Sequence, residues 1–550
     1  MLDGPAQPRS WIPTRDTLAR ASASALSGNL MWMAAPDLNW WWLSFIAWIP
    51  WLWSIRDLGP KRAFMIGWIS GLFSVFVGFF WMTELLTRFA GFPIAAAIPI
   101  HLLFAGFQGL QWAIPAALLA WLQRRTGRST LLLAPLLWAG CEAILPNIFP
   151  VYMGFLWAWQ PVLIQLAEIG GALTVTLAMV GMNAALYELA TGLMRIRSFR
   201  GTHRRAMFAT LIWFIGVPTY GIIRMAQVDA QIDTAPKMKV AVVQGNFGIR
   251  TYSTPGLKPR ILRELQLQTK KLQDKGAELA VWGETAYPFS VFFRDSRSDL
   301  KKTHPRRVQR HFDIPLIFGT TTRERKRKTN ARQHPWNSAL VMHRDGKLGD
   351  LDGVGETIRW EHSRYDKNHP LYFGEAVPPP IDPDWYLDLI PSASHLNVGE
   401  GPNVLEANGY RFGPLICYED ILPRFARDIA DEDIHAFVNL TNDSWFGNSP
   451  AQGEHLGLSV FRAVEHRKAL IRSVNAGASA HIDPAGRVIT RTDVTDSDQD
   501  GYRGAEGFVA DVAMMDPKSR TLYGRFGNLF ALLIWLTIAT IAWRKRPSAR

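Results

Sequence analysis

Apolar segments fill the first 225 or so residues of this chain, and they constrain its fold more than any other feature. Segments 38–55, 63–86, 94–122, 170–194, 206–223 and 526–543 are long enough to cross hydrocarbon as helices, which takes about 17 to 25 residues. Two shorter segments, 21–35 and 131–145, fit the same scheme. A chain of 550 residues that is 48% apolar, with 23 Trp, cannot bury all of this in one water-soluble core. The sequence therefore predicts a multi-span α-helical membrane bundle of about eight spans.

Loop charges orient the bundle. Basic residues gather in alternate loops: Arg56, Lys61 and Arg62, then Arg124, Arg125 and Arg128, then Arg195, Arg197, Arg200, Arg204 and Arg205, then Arg544, Lys545, Arg546 and Arg550. Between them, loop 147–169 has no Lys or Arg and loop 87–91 has only Arg88. Short cytoplasmic loops carry the positive charge, so both termini are expected inside and residues 224–525 outside. Much of the net charge of +13 lies in these loops, near lipid head groups. Nucleic acid is not an expected partner. The first run lacks a small-residue cleavage pattern and is expected to stay as an anchor.

At Lys237 the composition changes. Short β-branched or apolar runs (239–244, 278–282, 315–321, 338–343, 412–418, 436–441, 478–482 and 507–512) alternate with helix-compatible stretches such as 261–275 and 453–467. That order predicts an α/β domain with a helix-covered sheet. The expected division is a membrane domain over 1–224, an outer domain over 237–515, a last transmembrane helix over 526–543 and a basic tail over 544–550. Val377-Pro-Pro-Pro-Ile-Asp-Pro-Asp384 marks a stiff loop.

The outer domain holds one cysteine, Cys417, in the run Phe412-Gly-Pro-Leu-Ile-Cys-Tyr-Glu-Asp420; Cys141, the only other, lies in an apolar run. The two are not expected to form a disulfide. Two further segments place a functional group beside apolar residues, Ala280-Val-Trp-Gly-Glu-Thr-Ala-Tyr-Pro288 and Arg364-Tyr-Asp-Lys-Asn-His-Pro-Leu-Tyr-Phe-Gly-Glu375. Glu284 can take a thiol proton, Lys367 can stabilise an oxyanion, and Cys417 can attack a carbonyl. Singly, each charge also suits a solvated surface. His369, His455 and His481 lack metal-ligand spacing and suit packing or hydrogen bonding. Gly353-Val-Gly355 lacks the preceding strand and third glycine of a dinucleotide loop, and Asp496-Ser-Asp-Gln-Asp-Gly501 suits a solvated acidic turn better than a calcium loop. Trp40, Trp41 and Trp42 fit either interfacial anchors or a packed face.

The ordered set Glu284, Lys367 and Cys417 resembles the nitrilase superfamily and its membrane branch, the apolipoprotein N-acyltransferases. The likeness extends over Val242-Val-Gln-Gly-Asn246, Phe373-Gly-Glu375, Asn439-Leu-Thr-Asn-Asp-Ser-Trp-Phe-Gly447, His455, Phe461-Arg-Ala463, Glu465 and Ile482-Asp-Pro-Ala-Gly-Arg487. It implies an αββα sandwich, a bacterial inner-membrane location and a periplasmic catalytic domain. It further implies acyl transfer from a phospholipid donor to the amino group of a diacylglyceryl-cysteine lipoprotein acceptor, with membrane lipid as surroundings and neither cofactor nor metal. Cys417 would be nucleophile, Glu284 base and acid, and Lys367 oxyanion support, with Glu375, Tyr418 and Glu419 as supporting groups. The chain departs from the family at Gly283, where proline is usual, at Leu371-Tyr372, and in a missing lid tryptophan for which Tyr252 is the possible substitute. A tethered nitrilase-like amidase is the nearest alternative, because water can discharge the same thioester. A silent scaffold or transporter is a third, poorly served by so few ionisable residues within the spans.

Overall fold

The computed structural model describes residues 14–36, 38–194, 202–248, 254–293, 296, 298–324, 334–348, 350–351, 358–359, 362–493 and 504–543. Tyr252, Gly353 to Gly355, Asp496 to Gly501 and the basic tail lie outside them. Among the described residues three helices are long and apolar enough to cross a membrane: Ile94–Thr126, Ala172–Gly192 and Arg205–Thr234. Pro60–Gly78 and Trp81–Arg88 make a fourth if counted as one span bent by 55°. Thr130–Ile144 and Leu529–Trp543 are shorter apolar helices, and Arg15–Met33 covers the first run.

Segment 38–55 is not the continuous helix its composition suggests. It folds as a 3-10 turn, Trp41–Phe45, and a short helix, Ile49–Ser54, with Pro50 in its first turn. Unwound backbone in an apolar interior needs partners, and distant side chains supply them. Asn183 accepts from the Trp48 N–H at 3.1 Å and donates to the Ser44 carbonyl at 2.7 Å, while Ser27 donates to the Ala47 carbonyl. The segment nevertheless runs back beside the first helix, where Arg20 donates to the carbonyls of Ser54 and Arg56 at 3.0 and 2.9 Å. It carries Trp48 and Trp51 into a buried cluster with Trp112 and Trp138, ring centroids 4.8 to 6.3 Å apart. Of the three-tryptophan run, Trp40 and Trp42 stack outward and Trp41 packs edge-on against Phe45.

The outer domain is built on β1 (Lys237–Gln244), β2 (Leu279–Phe292), β3 (Leu316–Arg323), β4 (Trp336–Met342), β5 (Asp350–Leu351), β6 (Ile358–Arg359), β7 (Arg364–Asp366), β8 (Leu405–Ala407), β9 (Tyr410–Ile416), β10 (Ala436–Thr441), β11 (Ala469–Val474), β12 (Ala480–Ile482), β13 (Val488–Arg491) and β14 (Glu506–Ala513). One six-stranded sheet runs β14-β1-β2-β3-β4-β7 and a second runs β13-β12-β11-β10-β9-β8, with β5 and β6 as a separate pair. The central strands are buried on both faces. Val240 and Val242 join the core between the sheets, whereas Ala241 and Val243 pack with Ile261, Leu262 and Leu265 of helix Lys258–Gln273. Helices Pro423–Ala430 and Ala451–His466 contribute to the core of the second sheet, giving four layers, helix, sheet, sheet, helix.

The N-terminal part extends past the expected boundary at 224, because the helix Arg205–Thr234 continues beyond it. Arg224 stays inside it by pairing with Glu168 at 2.5 Å. The C-terminal apolar helix begins later than 526, since a short helix, Leu522–Phe526, ends at Gly527 (φ 48°) before Leu529–Trp543. Glu168 also accepts from Tyr220 Oη at 2.6 Å and from Arg467 Nε, on the outer domain, at 2.9 Å. One carboxylate thus holds two guanidinium groups from opposite halves of the protein. Glu168→Ala is expected to destabilise the protein by about 3 kcal/mol or more, because buried Arg467 loses its charge partner. A thermal unfolding midpoint in detergent unchanged from wild type would refute this docking role.

Candidate active site

The strand read as running to Tyr418 stops at Ile416. Cys417 takes a left-handed conformation (φ 52°) and opens a 3-10 turn, Cys417–Ile421. That backbone region is sparsely populated for a residue with a side chain and costs on the order of 1–3 kcal/mol. Surrounding contacts must hold it. Glu419, fully buried, accepts from the Ile416 N–H at 2.7 Å, Tyr365 Oη at 2.7 Å, and the Asn368 and His369 N–H groups at 2.6 and 3.0 Å. It therefore binds the nucleophile turn to the segment that carries Lys367. Burial pushes its pKa up to about 7, although these donors pull the other way.

Lys367 follows β7 and is 1% exposed. Its Nζ donates to Glu375 Oε2 at 2.6 Å and to Glu284 Oε1 at 3.2 Å. Glu375 Oε2 also accepts from the Leu371 N–H at 2.9 Å, which folds the lysine loop back on itself. Asn337, at the start of β4, donates to Glu284 Oε1 at 2.7 Å and to Glu375 Oε1 at 3.4 Å. Glu284 Oε2 is buried and, among the described residues, accepts no hydrogen bond.

Electrostatics assign these groups different resting states. Burial raises the Glu284 carboxyl above its usual range, with Lys367 opposing. Burial alone would discharge Lys367, but Glu284 and Glu375 outweigh it and keep the ammonium. Burial and the Glu284 charge push the Cys417 thiol well up, against Lys367. The resting group is a thiol, so a base must remove its proton as it reacts.

Tyr418 reaches the other half of the protein, donating its hydroxyl to the Ile148 carbonyl at 2.9 Å and meeting Phe149 edge-on at 6.3 Å. Beside it lies a cleft lined by Phe79, Trp81, Phe149 and Phe155 from the N-terminal part and by Leu371, Cys417, Phe446 and Leu458 from the outer domain. The thiol borders an apolar space to which both halves contribute.

The structure brings Glu284, Lys367 and Glu375 into one hydrogen-bonded group and joins Glu419 and Cys417 to it through the lysine segment. His369 packs edge-on against Phe425 at 4.6 Å, and burial lowers His481 to about 4. His455 sits between Asp420 and Asp443. Gly283 lies where the sheets nearly touch, and a Cβ there would stand 2.9 Å from the Asn475 nitrogen and 3.0 Å from the Thr441 oxygen. Sequence reading missed Asn337, whose signal is a polar residue just ahead of the apolar stretch Ala339 to Met342. It also missed Asp420 and Arg472, which have no signal apart from their partners.

Residues 27–185 match the apolipoprotein N-acyltransferase N-terminal domain and residues 239–498 match the carbon-nitrogen hydrolase domain. The chain is 27% identical over 536 residues to the apolipoprotein N-acyltransferase of Geobacter metallireducens, covering 96% of this chain and 95% of that protein. It is also 27% identical over 558 residues to that of Vibrio vulnificus, covering 96% and 98%. Among solved structures, Saccharomyces cerevisiae Nit3, a member of branch 10 of the nitrilase superfamily, aligns over 53% of this chain and 93% of its own at 20% identity and a TM-score of 0.34. With both domains present in order and relatives similar along nearly their whole length, the chain belongs to the apolipoprotein N-acyltransferases, the membrane branch of the carbon-nitrogen hydrolase superfamily.

Proposed function

We propose that the protein transfers a fatty acyl chain from a phospholipid to the N-terminal amine of a diacylglyceryl-cysteine lipoprotein, through a thioester on Cys417. The carrying observation is the buried carboxylate oxygen Glu284 Oε2, beside an ammonium held by two carboxylates, in a site whose cysteine opens onto an apolar cleft shared with the membrane helices. Glu284 takes the Sγ proton as the thiolate attacks the ester carbonyl. The Lys367 ammonium and the Tyr418 backbone N–H hold the oxyanion. Collapse expels the lysophospholipid alkoxide, which receives the proton from Glu284. The acceptor amine then attacks the thioester, Glu284 takes its proton, and the thiolate leaves. Asn337 and Glu375 orient Glu284 and Lys367, and Glu419 keeps the nucleophile turn in register.

The apolar cleft favours acyl transfer over amidase chemistry on soluble substrates. Withdrawing a lipid chain into water costs about 0.8 kcal/mol per methylene, so both substrates approach from the bilayer. We place the protein in the bacterial inner membrane as an eight-pass chain, with the catalytic domain on the periplasmic face. The return of segment 38–55 beside the first helix supports counting it as a pass.

Cys417→Ser is expected to insert normally and to lose transfer, since serine is scarcely ionised. Intact-mass analysis with phospholipid should show a fatty acyl adduct on wild type alone; retained transfer in the serine variant would remove Cys417 from the reaction. Glu284→Gln and Lys367→Met should each slow acyl-enzyme formation on the order of 100-fold. Prompt, full acylation of either variant contradicts the role given to that residue. Enzyme and donor without acceptor should release one equivalent of lysophospholipid, and a strict need for acceptor before any release would sink the two-step order.

A further inference from the structure

The turn that carries the nucleophile has a second anchor, in which every charged group is buried. His455 Nε2 lies 2.7 Å from Asp420 Oδ1 and its Nδ1 lies 3.0 Å from Asp443 Oδ1. Arg472 donates to the other oxygen of each, to Asp420 Oδ2 and to Asp443 Oδ2 at 2.8 Å. Ser459 Oγ donates to Asp420 Oδ2 at 2.6 Å. Both aspartates and Arg472 are fully buried, and His455 borders the same cleft as Cys417. Four elements meet here: the turn Cys417–Ile421, the turn Asp443–Phe446, helix Ala451–His466 and β11.

Hydrogen-bond chemistry fixes the charge state. An ionised carboxylate only accepts, and a neutral imidazole has a single N–H. With a guanidinium on both carboxylates, the ring satisfies both only as imidazolium. The cluster then holds two positive and two negative charges. Without the ring proton it would carry one uncompensated negative charge beside the cleft.

We propose that His455 is a positioning residue for the acylation step: as an imidazolium between Asp420 and Asp443, it fixes the strained turn at Cys417 and keeps the ground next to the thiol electrically neutral. This rests on the reading of Cys417 as the nucleophile. The groups facing the ring are Asp420 from the nucleophile turn, Asp443 from the turn after β10 and Arg472 from β11; Glu454 precedes it on its own helix, and Cys417 lies across the cleft with Lys367, Glu284 and Glu375 behind it. Burial and Arg472 lower the His455 pKa, but the two aspartates carry it up to about 9. Raised above the ordinary value near 6.5, this group stabilises the fold fully below about pH 6.5, and the contribution is lost as pH rises through about 9.

The test uses full-length enzyme in detergent with phosphatidylglycerol as donor, between about pH 6 and 10, comparing wild type, His455→Gln and the double variant His455→Gln with Asp420→Asn. Two rates are read per folded molecule: acyl-enzyme formation by intact mass, and alkylation of Cys417 by iodoacetamide. The single variant is expected to acylate on the order of tenfold more slowly at pH 7.5, with the half-saturating donor concentration unchanged. The double variant, neutral again, should recover most of that loss, and it should lack the fall in acylation rate expected of wild type above about pH 9. An unchanged rate in the single variant, no recovery in the double, or the same alkaline fall in both overturns the proposal. If the single variant does not fold, the profiles of wild type and double variant decide. If wild type forms no adduct, the proposed function fails, while recovery of the alkylation rate in the double variant still decides the role of His455.

Discussion

A single buried carboxylate, Glu419, joins the two sheets where the chemistry sits. Glu284 and Lys367 belong to the first sheet and its edge, Cys417 to the end of a strand in the second, and nothing in sheet pairing alone fixes their distance. Glu419 closes that gap by accepting from one backbone group of the second sheet, two of the lysine segment and the Tyr365 hydroxyl. The Ile416 N–H and the Tyr365 hydroxyl are buried, and each would otherwise be an unsatisfied polar group with a penalty of about 1–3 kcal/mol. The position of the lysine relative to the cysteine is thus over-determined, which is what a site needs if its reacting groups are to meet without searching.

The membrane part solves a related problem with neutral groups. Segment 38–55 gives up helical hydrogen bonds and recovers partners from Asn183, Ser27 and Trp157. It places two indoles, Trp48 and Trp51, in the buried aromatic cluster with Trp112 and Trp138. The same logic, irregular backbone answered by fixed side chains, governs the left-handed Cys417. In both places the irregularity faces what the protein must hold: packed aromatics in one, the nucleophile in the other.

Much of the outer fold was legible because strands buried on both faces read as continuous apolar runs, as at β1 and β10. β11 was not, since Arg472 and Ser473 interrupt its apolar pattern; Asp420 and Asp443 receive the arginine, and the carbonyls of Val243 and Val281 receive the serine hydroxyl. The break in segment 38–55 was invisible for a similar reason, its hydrogen-bond partner lying 135 residues away at Asn183. The acid, the lysine and the cysteine could be picked out through their order along the chain. Asn337 and the aspartates around His455 could not, because their meaning is a distance across the fold and not a spacing within the sequence.

Antiparallel pairing of β1 with β14 sets Lys237 opposite Ala513, and the Met514 N–H donates to the Pro236 carbonyl. The chain therefore enters and leaves the catalytic domain at one point. A sandwich of more than two hundred residues can hang from the bundle by two adjacent strands without prying its helices apart, as a module spliced into a single interhelical loop would. That geometry leaves the connectivity of the helical bundle unbroken by the domain it carries.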